Sequence, residues 1–204
     1  MRVIAGSARG TKLECPPGND VRPTPEMARG ALFNILRDAV EGASVLDLFA
    51  GAGTVGIEAL SRGAKRCVFI ELSPRHKRLL DRNLERTHLT DRAEVLLRDA
   101  FRCPESLARS RGGFDLVFVG PPFPLWRDPA GKAALMALLD RLAHSGLLNE
   151  GCILVVQHDA KDLLPESTAR LRRTDQRTYG RNVFSFYSRG GIGDPSRSSS
   201  AQAS

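Results

Sequence analysis

From Ser44 onward, five short and nearly continuous apolar runs, at 45–49, 67–70, 94–97, 116–119 and 153–156, alternate with longer segments of helical period. A strand that is apolar at successive positions must be covered on both faces, and helices connecting parallel strands provide that cover. Helices are expected at about 54–62, 74–87, 103–110 and 132–143; the second opens Ser73-Pro74, an N-cap followed by proline at the first helical position. The alternation predicts a doubly wound α/β sheet with helices on both faces.

The flanks read differently. Val3-Ile4-Ala5 and Lys12-Leu13 bracket a Gly/Ser/Arg turn and predict a small hairpin. Arg22-Pro23-Thr24-Pro25-Glu26 is a stiff turn into a helix of about 25–38, with Met27, Ala31, Phe33, Ile35 and Leu36 as its apolar face. Beyond the fifth run, Leu171–Arg177 and Val183–Tyr187 flank Tyr179-Gly180-Arg181-Asn182 and predict an antiparallel hairpin that closes the sheet. The Gly/Ser-rich stretch 189–204 has too little apolar surface to order itself and is expected to be a disordered tail. One domain of 1–188 results, with a hairpin and helix extension at 1–43 and the α/β core at 44–188.

The 204-residue chain has a formal net charge of +7, which points towards a polyanionic partner. Only +2 belongs to residues 44–163, and +4 to the flanking segments 1–43 and 164–188. That division nominates Arg2, Arg9, Lys12, Arg22, Arg172, Arg173 and Arg181 as the cations that would meet such a partner. Arg75, Arg78, Arg82 and Arg86 also recur at helical spacing, but Asp81 and Glu85 lie among them, as on a solvated face. Cys15, Cys67, Cys103 and Cys152 form no C-x-x-C pair, and the four histidines show no metal spacing, so buried thiols and no metal site are expected. No apolar run approaches the ~20 residues that cross a bilayer and no secretory signal opens the chain. A cytoplasmic monomer is expected. Neither a G-x-S-x-G elbow nor a G-x-x-x-x-G-K-[ST] loop occurs, which removes hydrolase and NTPase readings.

The first apolar run ends Asp47-Leu48-Phe49-Ala50 and continues Gly51-Ala52-Gly53-Thr54-Val55-Gly56, a formal G-x-G-x-x-G, with the acidic Glu71 at the end of the second run. That pattern suits a nicotinamide dinucleotide, yet Asp47 would sit where the pyrophosphate lies and repel it. A ligand with an ammonium group is attracted instead. S-adenosylmethionine has one, carries no phosphate and has a ribose for Glu71. Asp99, in Arg98-Asp99-Ala100 at the end of the third run, is able to accept from an adenine amino group. After the fourth run, Gly120-Pro121-Pro122-Phe123 makes a rigid loop bearing an aromatic; stacking on a base contributes roughly 1–3 kcal/mol.

These segments together resemble the RsmD-type 16S rRNA guanine-N2 methyltransferases. The matching residues include Arg9-Gly10, Lys12-Leu13, Arg22-Pro23-Thr24, Ala31-Leu32-Phe33-Asn34-Ile35-Leu36, Leu46 to Gly53, Gly56 to Ala64, Phe114 to Phe118, Pro121-Pro122-Phe123 and Tyr179-Gly180. The resemblance spans about 1–188. It implies a Rossmann-like class I methyltransferase with seven strands, the last antiparallel, acting on 16S rRNA or a small-subunit assembly intermediate. It also implies that Asp47, Gly51 and Gly53 line the methionine end of S-adenosylmethionine, that Phe49 is among the cofactor-binding residues, that Glu71 takes the ribose, and that Asp99 and Ala100 take the adenine. Thr24 would close over the site, and Phe123 would stack on the target guanine within the catalytic loop Gly120–Phe123.

One departure bears on mechanism. The family's loop begins with Asp or Asn, whose side-chain oxygen and the first proline's carbonyl accept the hydrogens of the target amine; here the position is Gly120. Loss of one charge-assisted hydrogen bond costs roughly 1.5–3 kcal/mol, about 10- to 100-fold in rate. The enzyme is therefore slow, or rescued by another acceptor such as Asp128, or a family member that binds RNA and cofactor as a non-catalytic assembly factor. A second departure is Gln157-His158, where the family more often has Glu before His.

Overall fold

The computed structural model describes residues 1–16, 24–104, 107, 112–168 and 170–189. Its centre is a seven-stranded sheet: β1 (Ser44–Leu48), β2 (Arg66–Glu71), β3 (Ala93–Leu97), β4 (Phe114–Val119), β5 (Leu148–Asp159), β6 (Leu171–Tyr179) and β7 (Asn182–Arg189). The spatial order is β3-β2-β1-β4-β5-β7-β6. β1 to β5 pair in parallel, and β7 runs against both β5 and β6. The expected fold class and closing hairpin are therefore present. Strand order reverses between β1 and β4, which leaves a crevice at their carboxyl ends where ligands of open α/β sheets bind.

The apolar runs are continuous because alternate residues feed two cores. Val45, Cys67, Phe69, Leu116 and Phe118 face one side, where helices α1 (Glu26–Leu36), α2 (Thr54–Ser61) and α3 (Pro74–Thr87) supply Leu32, Phe33, Ile57, Leu60, Leu80 and Leu84. Leu46, Leu48, Val68, Ile70, Val117 and Val119 face the other. There Trp126 of α4 (Phe123–Arg127) and Leu135, Leu138, Leu139 and Leu142 of α5 (Pro129–His144) cover them. Ser73 caps α3 by accepting from the His76 N–H at 3.4 Å. The helix expected at 103–110 falls largely on residues outside those described; a 3-10 turn, Ala100–Arg102, precedes it. Cys67, Cys103 and Cys152 are buried thiols, and Cys15 is half-buried.

Three boundaries differ from expectation. β5 starts before 153, where Leu148 pairs with Phe114 of β4, and ends past 156 because pairing with β7 carries it through the polar Gln157-His158-Asp159. Arg189 belongs to β7, so that strand passes the expected limit at 188; residues 190–204 lie outside the described residues. The N-terminal hairpin is a single bridge, Arg2 to Lys12, in place of a ladder.

The face of α1 is also corrected. Ala28, Arg29, Leu32, Phe33 and Leu36 are buried, whereas Met27 is 77% exposed. The reason is a polar anchor that the apolar pattern conceals. Arg29 and Glu58 of α2 are both fully buried, with Nε to Oε2 at 3.6 Å, and Arg62 joins Glu58 Oε1 at 2.7 Å. Glu58 also accepts from the N–H groups of Ile4 at 2.8 Å and Ala5 at 3.1 Å, while Arg29 Nη2 donates to the Arg2 carbonyl. Gly6, at φ +84°, lies so close to α2 that a Cβ would fall 1.8 Å from the Ser61 carbonyl oxygen. The extension is thus bolted to α2 and is part of the same body. Among the described residues no helix is long and apolar enough to cross a membrane.

Candidate active site

The turn from β1 into α2 is built from unusual backbone. Phe49 has φ 65°, Gly51 58° and Gly53 77°, and the Gly53 N–H returns to the Ala50 carbonyl at 2.8 Å. A bulky residue in the left-handed region costs about 1 kcal/mol or more and is held only where its surroundings determine it. Phe49 is held by an edge contact with Phe101, ring centroids 5.4 Å apart.

Around this turn the strand tips gather carboxylates. Asp47 is 4% exposed and accepts from the Gly56 N–H at 3.0 Å. Burial pushes its carboxyl up to about 7; the Gly56 N–H opposes the rise and the charge of Glu71 adds to it. Glu71 accepts from the Gly51 N–H through Oε2 and from the Ser73 N–H through Oε1, both at 2.7 Å, and His76 Nδ1 lies 3.5 Å from Oε1. Asp99 accepts from the Phe101 N–H at 2.9 Å and starts the 3-10 turn that carries Ala100.

These groups line a cleft of about 1110 Å³ at the carboxyl ends of β1, β2, β3 and β4. Thr24, Asp47, Phe49, Gly51, Glu71, Asp99, Ala100 and the loop Gly120, Pro121, Pro122 and Phe123 all line it. Gly53 does not. It caps α2 beneath the turn, where a Cβ would fall 2.0 Å from Leu80 Cδ1, so the residue shapes the backbone, whereas Gly51 lines the cleft. The Gly120 N–H donates to the Leu48 carbonyl at 3.3 Å, which fixes the fourth-strand loop beside the first-strand turn.

The donor set fits S-adenosylmethionine. Three carboxylates at successive strand tips would repel a pyrophosphate, and among the described residues Asp47 has no cationic partner until a ligand brings one. An ammonium beside Asp47, a ribose diol at Glu71 and an adenine amine at Asp99 use each acceptor once.

The expected RNA cations scatter. Arg181 lines the cleft and bonds Asp159 at 2.7 Å, holding that carboxyl below its ordinary value. Arg2 lies 3.6 Å from Glu26, and Lys12 is exposed on the hairpin. Arg9 follows Ala8, whose N–H bonds Ser61 Oγ at the far end of α2. Arg172 and Arg173 are at the start of β6, the sheet edge opposite the cleft, and Arg173 is tied to the Leu164 carbonyl at 3.1 Å. Arg22 lies outside the described residues. On α3, Arg82 and Arg86 both pair with Glu14, at 2.9 and 2.6 Å. Asp128 is no spare acceptor: it caps α5 by accepting from the Gly131 N–H at 2.8 Å, and it does not line the cleft.

Sequence reasoning left several lining residues without a role. Arg98 and Arg127 join Arg181 on the cleft wall, and Gln157 and Asn182 reach it from β5 and β7. Thr24 Oγ1 donates to Gln157 Oε1 at 2.8 Å, and Gln157 Nε2 donates to Asn182 Oδ1 at 2.8 Å. The pairing of β5 with β7 brings Gln157 to Asn182, and the turn into α1 brings Thr24 to them, so no local pattern announced the three.

The family model described as conserved hypothetical protein 95 matches residues 1–188. The chain is 35% identical over 191 residues to the candidate rRNA methyltransferase YlbH of Bacillus subtilis, covering 94% of this chain and 100% of that one. It is 30% identical over 194 residues to ribosomal RNA small subunit methyltransferase D of Escherichia coli, covering 95% and 92%. The solved structure of the candidate methyltransferase YhhF from Escherichia coli superposes with a TM-score of 0.75 at 31% identity, covering 93% of this chain and 97% of that one.

Proposed function

The chain belongs to the RsmD-type methyltransferase family, and on that premise we propose that it methylates the exocyclic N2 of a guanine in 16S rRNA, using S-adenosylmethionine, during assembly of the small subunit. The observation that carries the reading is Asp47: a buried carboxylate held near 7 beside the β1 turn, facing a cleft that also holds Glu71, Asp99 and an aromatic loop. When bound, S-adenosylmethionine supplies an electrophilic methyl group: the guanine nitrogen forms the new N–C bond, the S–C pair returns to sulfur, and a nitrogen proton leaves to water.

The chain's own residues bind and orient. Asp47 holds the ammonium of the methionine end, Glu71 and Asp99 hold the nucleoside, and Phe123, half-buried on the opposite wall, takes the face of the guanine. Arg98, Arg127 and Arg181 draw the phosphates to the rim. The test is incubation with tritiated S-adenosylmethionine and small-subunit RNA or assembly intermediates that lack the modification. Expected is incorporation that nucleoside mapping assigns to N2-methylguanosine.

A second reading, an assembly factor that binds without turnover, is favoured by Gly120 alone. Incorporation by the Gly120→Asp variant and none by the parent would decide for it. Methylation at another base or atom would refute the guanine assignment.

A further inference from the structure

We propose that Gln157 is a catalytic residue: its side-chain amide oxygen accepts a hydrogen of the target amine, in the space that Gly120 leaves open. The inference rests on guanine methylation as the function and names the acceptor that function requires.

The need arises from the substrate. The lone pair of a guanine N2 is delocalised into the ring, and accepting both of its hydrogens draws the nitrogen towards the tetrahedral shape that attacks a methyl group. Two acceptors must therefore lie side by side. The chain between β4 and α4 offers the Pro121 carbonyl, but Gly120 has no side chain.

Gln157 fills that position from the neighbouring strand. β4 and β5 pair in register, Val119 with Val156, so Gln157 follows directly alongside Gly120. A Cβ built on Gly120 meets Gln157 Oε1 at 3.6 Å and no other heavy atom within 4 Å, and its φ is outside the left-handed region. The space at Gly120 thus opens onto one polar atom, and that atom is an acceptor.

The amide is also oriented. Nε2 is committed to Asn182 Oδ1 at 2.8 Å, which turns Oε1 towards Thr24 and Gly120. The Trp126 indole N–H donates to the Gln157 carbonyl at 3.3 Å and ties this strand end to α4, the helix that begins with Phe123. Oε1 has two lone pairs; Thr24 Oγ1 uses one at 2.8 Å and the second remains for the amine. An amide takes no proton at neutral pH, so the nitrogen proton still leaves to water.

Binding tests the proposal without turnover. A 16S rRNA fragment is made with guanosine or inosine at the mapped target; inosine lacks the 2-amine. The parent, loaded with S-adenosylhomocysteine, should bind the guanosine form about 5- to 100-fold more tightly, the worth of two hydrogen bonds. Gln157→Ala should lose about three- to tenfold of that preference, the Pro121 carbonyl still accepting one amine hydrogen, keep its affinity for S-adenosylhomocysteine, and lose about 10- to 100-fold in kcat. Gln157→Glu should keep kcat within about threefold, and Gly120→Asp added to Gln157→Ala should restore at least tenfold by supplying an oxygen from the other strand.

A parent that does not discriminate the two RNAs overturns the proposal before any variant is made. So does a slow Gln157→Ala whose preference for guanosine is undiminished, or one that Gly120→Asp does not restore, because Gln157 then acts only through Thr24 and Asn182. An unchanged kcat in Gln157→Ala removes the acceptor role and leaves the proposed function standing. Failure of the parent to methylate guanine removes both.

Discussion

Asp47→Asn should strengthen the free protein while weakening its hold on S-adenosylmethionine. The amide keeps an oxygen for the Gly56 N–H, which now reaches Asp47 Oδ2 at 3.0 Å, and removes the charge. A carboxyl moved from 3.8 to about 7 by burial destabilises the ionised folded protein by about 4 kcal/mol at 1.36 kcal/mol per pH unit. That figure is an upper limit, because water in the cleft screens the charge. Since the folded value lies above the unfolded one, the contribution to stability is fully present below about pH 4. It is lost as pH rises through the folded value near 7. Thermal melts of the ligand-free parent should therefore lose stability between pH 4 and 7 through this group, and the Asp47→Asn variant should lose less. At pH 8 the variant should melt higher, by about 2–4 °C for each kcal/mol gained.

Ligand affinity should move the other way. The ammonium of S-adenosylhomocysteine requires the ionised carboxylate, so parent affinity measured by calorimetry should fall up to about tenfold per pH unit below 7. The Asp47→Asn substitution would flatten that profile and weaken binding at pH 8 by about 10- to 100-fold, the loss of a charged hydrogen bond. Parent affinity that stays constant from pH 8 to 5.5 would refute the placement of the ammonium at Asp47. Identical melting profiles for parent and variant would refute the buried-charge argument itself.

Three further outcomes are expected. Glu58→Gln leaves Arg29 buried without its counter-charge and weakens the anchor of Ile4 and Ala5; a loss of about 3–5 kcal/mol in denaturant titration is expected. Gly120→Asp should melt within about 2 °C of the parent, since its Cβ has room, whereas Gly56→Ala should lose several kcal/mol, its Cβ falling 2.2 Å from Phe69 Cε1. Arg127→Ala and Arg181→Ala should each weaken RNA binding and lower the salt slope by about 1, while Arg172→Ala at the opposite sheet edge leaves both unchanged in filter-binding titrations.

The sequence declared its sheet because each core strand had to be apolar on both faces. Val45 and Leu46 lie in different cores, and so do Leu116 and Val117. It declared the edge that carries the cleft because Asp47, Glu71 and Asp99 stand at or near the ends of apolar runs, and strand ends in such a sheet converge by topology. What it concealed has the opposite origin. Arg29 and Glu58 break the apolar pattern of their helices, yet their charges offset each other at a depth where neither residue type is expected alone. Gln157 and Asn182 meet only through the antiparallel register of β5 and β7, and nothing in either segment encodes the other. The basic flanks gather on no single surface for a related reason: charge counted along the chain ignores the end of a strand on which it falls, and β6 puts Arg172 and Arg181 at opposite ends of its hairpin.

The charge of the molecule is sorted by depth within one cleft. Carboxylates occupy the strand tips, with Asp47 at 4% and Glu71 at 7% exposure, while Arg181 and Arg127 are exposed on the wall. A polyanion drawn to the cations at the rim is repelled from the floor, and a small cation is drawn to the floor past them. Under the proposed function this ordering keeps the two substrates from competing for one site. S-adenosylmethionine, net positive through its sulfonium, offsets the charge of Asp47 when bound, whereas S-adenosylhomocysteine, net neutral, offsets it less. The same burial that makes Asp47 costly in the free protein therefore favours RNA on the loaded enzyme and its release after methyl transfer, because a charge in a poorly screened pocket is felt across the cleft.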